Sequence, residues 1–509
     1  MLIRDIRAPL DYDEEFLIEA VQKRLGRQVS GVKLVRKSVD ARRKRDVHFV
    51  LTVEVPEDGQ DAREEAAEIR LRRPMPLSPV VVGSGPAGLF AALTLAEAGA
   101  NPIILERGQN VDERAKAVET FWKGKQLDPE CNVQFGEGGA GTFSDGKLNT
   151  GTSDCRQRKV FKTFVDCGAP PDILTDAKPH IGTDFLRKVV RNLRFRIESL
   201  GGRYVFGARF CDFDCVNGQI TAAYYEKDGE RFRLETNSII LAVGHSARDV
   251  FSLLLDKGLH ISQKVFSVGV RIEHLREDID RAMYGGFAGH PALGAADYKL
   301  AVKTSGGRSL YTFCMCPGGK VISAASEIGG IVTNGMSDNA RDYKNSNSAL
   351  LVNVGPGDFV GTHPLAGVEF QRGIEAAAFR AGGGQMYAPF CTVGAFLGRR
   401  KSSPAVEPSF LPGVREALPD LYLPRFVFET LREGLFLMGR KINGFDSSGA
   451  ILTGVESRSS SPVRITRGED FCAPGFNGLY PAGEGAGYAG GIVSAAVDGI
   501  RCAQAALYY

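Results

Sequence analysis

The stretch VVVGSGPAGLFAALTLAEAGANPIILERG, from Val80 to Gly108, limits what this chain can fold into more than any other segment. Three β-branched residues, Val80 to Val82, read as a buried parallel strand. Gly83, Gly85 and Gly88 follow in G-x-G-x-x-G spacing, with Pro86 and Ala87 inside the motif. The first glycine permits a tight turn, the second the approach of backbone to a pyrophosphate, and the third the packing of helix on strand. Leu89, Leu93 and Leu95 then belong to a helix whose N-terminal N–H groups and dipole favour an anion. Gly99 ends that helix, Ile103 to Leu105 form the next strand, and Glu106 stands 18 residues after Gly88. A carboxylate there can accept both hydroxyls of an adenosine ribose, and Arg107 is a further candidate contact. An acid rather than an arginine at this point argues against a 2′-phosphate, so FAD or NAD fits and NADP does not.

The C-terminus separates FAD from NAD. The segment GLYPAGEGAGYAGGI, from Gly478 to Ile492, resembles the closing motif of the glutathione-reductase-like FAD superfamily. The resemblance implies a short strand ending in Gly-Asp, whose carboxylate holds the ribityl chain, and a helix that starts beneath the isoalloxazine. This chain has Gly483-Glu484 instead, which sets the carboxylate one methylene further out. Ser494 to Ala506 reads as the helix, and amides near Gly491 and Ile492 would face flavin N1–C2=O. SIILAVGHSAR, from Ser238 to Arg248, is similar to the superfamily strand that returns the chain to the FAD domain, with Gly244 at its end.

A second glycine-rich stretch, FGEGGAGTFSDGKL, runs from Phe135 to Leu148, with four glycines between Gly136 and Gly141. It is too flexible for a core strand and suits a loop around the pyrophosphate that reaches the flavin edge. Gly138, Gly139, Gly141 and Thr142 are its candidate cofactor contacts. Ser144, Asp145 and Lys147 are candidate catalytic groups near the ring. His245, after the returning strand, is a further catalytic candidate that could also cap a turn, and Tyr488 precedes the last helix. His180, His290 and His363 are acids or bases without supporting context. In GVESRSSSPVR, from Gly454 to Arg464, Arg458 and the serines could bind an anion or simply form a loop.

Cys314 and Cys316 lie in TFCMCPGGK, from Thr312 to Lys320. Three readings are open: buried structural thiols, lining of a substrate pocket, and a redox dithiol. Residues i and i+2 of a regular strand share a face, so a bond between them would be strained. A reactive thiolate also needs nearby positive charge, and within the motif only Lys320 offers it. The pair is therefore expected to line the substrate pocket, among the catalytic candidates, without cycling as a disulfide.

At 509 residues the chain suits two or three domains. Glycine, 61 residues, is roughly twice its usual share, as repeated close approaches to a cofactor require. No run of 18 apolar residues and no N-terminal apolar core are present, so neither a membrane span nor a signal peptide is expected. Ten cysteines without disulfide or zinc spacing suit a reduced, cytoplasmic protein with no metal.

Residues 1–50 carry twelve Lys/Arg against eight Asp/Glu and read as β-α-β-β. The helix spans Asp13 to Leu25, and strands span Val32 to Val39 and His48 to Val55. The turn Arg42-Arg43-Lys44-Arg45 is a solvated tip or a docking site for RNA or an acidic partner. Charged Pro56 to Arg73 and then Pro74, Pro76 and Pro79 mark a boundary. The fold class expected is α/β: a discontinuous Rossmann-type FAD-binding domain, an inserted α+β substrate domain and a small N-terminal domain. The limits are 1–74, 75–265, 266–444 and 445–509. A helix is expected over Asp184 to Leu200, with strands over Arg203 to Asp212, Gln219 to Tyr225 and Phe232 to Thr236. Val265 to Ile272 and Gly319 to Ala325 are the clearest strands of the insert.

Taken together, KSVDARRKRDVHFVLTV (37–53), GSGPAGLFAALTLAEAG (83–99), GEGGAGTFSDGKLNT (136–150), LAVGHSARDVF (241–251), FCMCPGGKV (313–321), NGMSDNARDYKNSNSALLV (334–352), GVESRSSSPVRI (454–465) and YPAGEGAGYAGGI (480–492) resemble the bacterial FAD-dependent dehydrogenase family, also called NAD(FAD)-utilising dehydrogenases. The resemblance implies bound FAD and a small N-terminal domain, and no particular substrate. The reading is a non-covalent FAD oxidoreductase acting on a small molecule, with NAD(P)H a candidate transient donor; no second G-x-G-x-x-G supplies a domain for it. A tRNA-modifying flavoenzyme and a flavin-bound sensor or assembly protein are the alternatives.

Overall fold

The structure, a computed structural model, describes residues 1–56, 75–124, 126–151, 153–399 and 403–508. The charged linker expected up to Pro74 lies, beyond Pro56, outside the described residues.

The cofactor-domain sheet has five parallel strands in the order Leu479–Pro481, Ile239–Leu241, Val80–Val82, Ile103–Glu106, Arg203–Phe206. Its central strands are apolar on both faces, as a sheet covered on both sides demands. Its strands come from three distant stretches of chain, which makes the domain discontinuous. The helix Pro86–Glu97 carries proline in its first turn, where the missing N–H costs nothing, and is buried from Ala87 to Ala96. The terminal helix Ile492–Tyr508 crosses it at close range: a Cβ on Gly499 would lie 2.0 Å from the Ala87 carbonyl oxygen.

The helix expected over Asp184 to Leu200 spans Thr183–Ser199. The strand expected over Arg203 to Asp212 is two strands. Gly207, at φ 67°, turns the chain out of the parallel sheet, and Arg209–Val216 starts a separate antiparallel sheet with Gln219–Lys227 and Glu230–Glu235.

The insert is built on a seven-stranded, largely antiparallel sheet. Its longest strands, Phe266–Leu275 and Asn345–Val354, pair along their whole length. The strand Ile451–Glu456 pairs with both Phe266–Leu275 and Ala388–Thr392. It belongs to this sheet, so the expected limit at 444/445 falls too early; the chain rejoins the parallel sheet only at Leu479. Gly319 to Ala325 holds a shorter strand, Lys320–Ser323, in a two-stranded sheet with Thr333–Met336.

The N-terminal segment forms a three-stranded sheet, Leu2–Ala8, His48–Glu54 and Lys33–Asp40 in that order, under the helix Glu14–Leu25. Asp13 caps the helix through the Phe16 N–H, and Leu17 and Val21 are buried. Arg42 to Arg45 sit exposed at the hairpin tip. No described helix is long and apolar enough to cross a membrane. Among the described residues no cluster of His, Cys, Asp or Glu is placed to hold a metal ion, and all ten cysteines are free.

Candidate functional site

A cavity of about 370 Å³ lies where the carboxyl ends of the parallel strands meet the insert. One end is the first glycine turn. Gly83, at φ 94°, has no room for a Cβ, which would sit 2.5 Å from the Ala242 carbonyl oxygen. Gly85 and Pro86 open the helix with no side-chain cap, so the free N–H groups of its first turn face the cavity. A Cβ on Gly85 would meet only Gly139, at 3.7 Å, leaving the backbone bare to a ligand.

The second glycine stretch folds against the first. Gly138 N–H donates to Ser84 O at 2.9 Å, and Gly139 and Gly141 line the cavity beside Gly85 and Ile492. Arg114 holds this loop. Its fully buried guanidinium donates to the carbonyls of Asn132, Val133, Gly136 and Glu137, and burial lowers its pKa to about 10. Nothing in the spacing of the sequence singled out Arg114.

Glu106 lies at the cavity wall, and each of its oxygens accepts two hydrogen bonds: Ser84 N and Oγ on one, Gly108 N and Gly136 N on the other. Beside it Arg107 covers the Phe135 ring and pairs with Asp249 at 2.6 Å. Across the cavity Gly244, His245, Glu484, Gly491 and Ile492 also line the wall. Glu484 makes no side-chain hydrogen bond among the described residues. Burial pushes its carboxyl up to about 7, partly offset by Lys264. An unpartnered acid facing a cavity suits a ligand rich in hydroxyls.

Five of the cofactor and thiol candidates stand behind the wall. A Cβ on Gly88 would meet Gly83 O at 1.9 Å, so this glycine serves helix packing. Gly138 and Thr142 shape the loop: Thr142 Oγ1 donates to Glu137 O, and Thr142 O accepts from Thr183 Oγ1 at 2.6 Å. Gly483 donates its N–H to buried Asp498 at 2.7 Å, and Cys316 is wholly buried and does not line the cavity. Tyr488 also turns away from the cavity, because Arg467 lies over its ring at 3.7 Å. His290 and His363 accept from backbone N–H groups in turns away from the cavity, and His180 Nε2 is held by Asn339 O at 3.0 Å.

At the far end the insert supplies the wall. Ser144, Asp145 and Lys147 meet Phe313, Cys314, Asn334, Glu456 and Arg458 there. Asp145 accepts from Arg341 at 2.6 and 2.9 Å and from Ser337, and lies 2.7 Å from Lys147 Nζ. Burial alone would raise its pKa, but Lys147 and Arg341 hold it well below the usual carboxylate range. The residue is a fixed anion, unsuited to act as a proton donor. His245 is pushed down to about 3 by burial and by Arg458 and Arg248, so its imidazole is neutral; its Nδ1 is 3.0 Å from Ser246 Oγ. Arg271, fully buried, forms a two-point pair with Glu456 at 2.7 and 3.0 Å.

Models of known families match three parts of this chain. Residues 265–459 match a FAD-dependent protein, C-terminal domain-like; residues 78–117 match a FAD binding domain; residues 2–56 match a domain of unknown function. An uncharacterized protein of Clostridium beijerinckii is 43% identical over 99% of this chain and 97% of its own. The chain belongs to the family of FAD-dependent oxidoreductases. Among solved structures, this family member is similar to a geranylgeranyl bacteriochlorophyll reductase-like protein of Thermoplasma acidophilum, at 11% identity and TM-score 0.38 over 85% of this chain and 78% of that one. It is similar also to a 3-ketosteroid dehydrogenase of Rhodococcus jostii, at 12% identity and TM-score 0.37 over 85% of this chain and 96% of the other.

Proposed function

We propose that the protein is an oxidoreductase that binds FAD non-covalently along this cavity and passes reducing equivalents between a donor, NAD(P)H being the candidate, and a small molecule bound against the insert. The observation that carries the reading is the joint wall: two glycine turns and an uncapped helix start at one end, and ionised insert side chains at the other. When bound, FAD supplies the two-electron chemistry. The open N–H groups of Gly85 and Ala87 suit the pyrophosphate, Glu106 the ribose and Glu484 the ribityl hydroxyls. At the far end Lys147 and Arg458 line the cavity with their charges paired to Asp145 and Glu375, and neutral His245 can donate or accept one hydrogen bond without changing charge. The alternatives of a tRNA-modifying enzyme and a flavin-bound sensor have no observation in their favour beyond the exposed basic tip at Arg42 to Arg45.

Purified protein is expected to be yellow, to release FAD on denaturation, and to bleach on anaerobic addition of NADH or NADPH. Colourless protein that takes up no added FAD would refute the reading. Bound FAD that no nicotinamide donor bleaches would remove NAD(P)H as the donor.

Glu484 gives this binding a pH dependence. In the free protein its carboxyl is half-protonated near 7, whereas hydroxyl donors stabilise the ionised form. FAD binding then expels a proton, so affinity increases with pH until the free carboxyl is itself ionised. Titration of apoprotein with FAD should show about tenfold or more tighter binding at about pH 7 than at about pH 5. The slope should flatten in Glu484→Gln; an unchanged slope would take Glu484 off the cofactor.

A further inference from the structure

Cys314 and Cys316 do not sit on a regular strand. Strand Ser309–Cys316 pairs with Asn345–Val354 as far as Phe313, and the register then shifts before Cys316 meets Asn347. Within that bulge Cys314 takes φ 41°, a left-handed conformation uncommon for a residue with a side chain. Such backbone persists where the surroundings enforce it, and it concentrates at functional sites. The bulge overrides the strand geometry that argued against contact. The Cys316 thiol donates to Cys314 O at 3.3 Å.

The two thiols differ in access. Cys314 lines the cavity, whereas Cys316 is wholly buried behind it. Cations reach them from other elements. Arg271 Nη1 donates to Cys314 O at 3.1 Å, and Lys147 faces both sulfurs. The Lys147 ammonium is 2.7 Å from Asp145 but out of line for a hydrogen bond, and the part of its side chain left open faces the cavity. The neighbouring Cys316 thiol, and then Lys147 and Arg271, favour the Cys314 thiolate against the cost of burial. Cys316 is held as the thiol. One cavity-facing thiolate backed by one buried thiol is the arrangement of an attacking and a resolving sulfur.

We propose that Cys314 and Cys316 are a redox dithiol, and that the small molecule taken by this cavity is a low-molecular-weight disulfide. This names the acceptor class for the proposed oxidoreductase and rests on that reading of the cavity. The Cys314 thiolate attacks one sulfur of R–S–S–R. The S–S bond breaks, one thiolate leaves, and a Cys314–S–S–R bond forms. Cys316 passes its proton to the departing thiolate and attacks the Cys314 sulfur. The second R–S⁻ leaves and is protonated from solvent. The substrate gains two electrons and two protons as two R–SH, and the thiolate–thiol pair becomes one disulfide. Lys147 is a positioning residue that stabilises the attacking anion.

The test uses FAD-loaded full-length protein and oxidised glutathione as the probe, followed by alkylation and peptide mass mapping. Wild type should yield a Cys314–Cys316 bond, two mass units below the dithiol peptide. Cys316→Ser should trap glutathione on Cys314, and Cys314→Ser should trap none on Cys316. Alkylation of Cys314 in Lys147→Gln should slow about tenfold at neutral pH and shift its pH profile up by about one unit, with Lys147→Arg restoring it. Exposed Cys155 serves as the internal control for probe reactivity. Wild type with both thiols free, together with a Cys316→Ser variant that carries no glutathione while Cys155 is modified and circular dichroism is native, overturns the proposal. Because FAD loading is scored first from the visible spectrum, a failure of FAD binding is read separately from a failure of thiol exchange.

Discussion

Replacing Glu375 with alanine is expected to destabilise the protein by about 3–5 kcal/mol, the penalty for leaving buried cations without their anion. Glu375, in the helix Ala366–Ala381, accepts from Arg248 at 2.9 and 3.1 Å, from Arg458 at 2.9 and 3.0 Å, and from Ser457 Oγ at 2.7 Å. The three charged side chains are 2–3% exposed. Arg248 follows the returning strand of the parallel sheet, while Arg458 follows the insert strand Ile451–Glu456, so this one carboxylate ties the two sheets together at the cavity wall. Burial works against its charge, yet Arg458 and Arg248 hold its pKa at about 2, below the ordinary 4.5. A carboxylate depressed in this way stabilises the fold fully above pH 4.5, and that contribution is lost as pH falls through about 2. Denaturant unfolding at neutral pH measures the effect, with Glu375→Gln expected to lose less because the shape and two acceptor sites remain. A loss below about 1 kcal/mol would mean that Glu327, which also pairs with Arg248, carries the compensation by itself.

What the sequence disclosed, and what it hid, follows from how far apart the determinants lie. The first glycine turn was legible because strand, glycines, helix and acid act on their immediate neighbours. The spacing already gave Gly85 to the approach of a ligand and Gly88 to helix packing, and in the fold a Cβ on Gly85 would meet only Gly139 whereas one on Gly88 would strike Gly83 O. The single strand read over Arg203 to Asp212 failed at Gly207, whose positive φ divides two sheets within an otherwise strand-like run. The limit at 444/445 failed because Ile451–Glu456, although buried along its whole length like a parallel strand, pairs antiparallel inside the insert. Long-range charge was invisible. Beside Cys314 the sequence offered Lys320, which lies over the Tyr343 ring, whereas the fold brings Lys147 and Arg271 from distant elements. Arg114 follows the same rule: an arginine in an amphipathic helix reads as a solvated residue until a returning loop presents four carbonyls to it.

Glu106→Ala should weaken FAD binding by roughly 2–3 kcal/mol, or about 30- to 150-fold in Kd. In the structure the Glu106 carboxylate gathers three backbone N–H groups, from Ser84 after the first strand, Gly108 after the second and Gly136 in the glycine-rich loop, besides the Ser84 hydroxyl. It joins three turns at the end of the cavity proposed for the adenosine, so truncation removes the proposed ribose acceptor and also leaves three buried donors unpaired. Of its four donors only the Ser84 hydroxyl can rotate away, and a ribose hydroxyl can take that place without disturbing the backbone. Ser84→Ala is therefore expected to stay within about threefold of wild type. Glu106→Gln should fall nearer to alanine than to wild type, because its amide NH₂ would face the N–H groups of Gly108 and Gly136 in one orientation and the Ser84 N–H in the other. Fluorescence titration of each apoprotein with FAD reads all three. Unchanged affinity in Glu106→Ala, with unfolding as in wild type, would place the ribose elsewhere; a large loss in Ser84→Ala would show that the hydroxyl is retained as a contact instead of displaced.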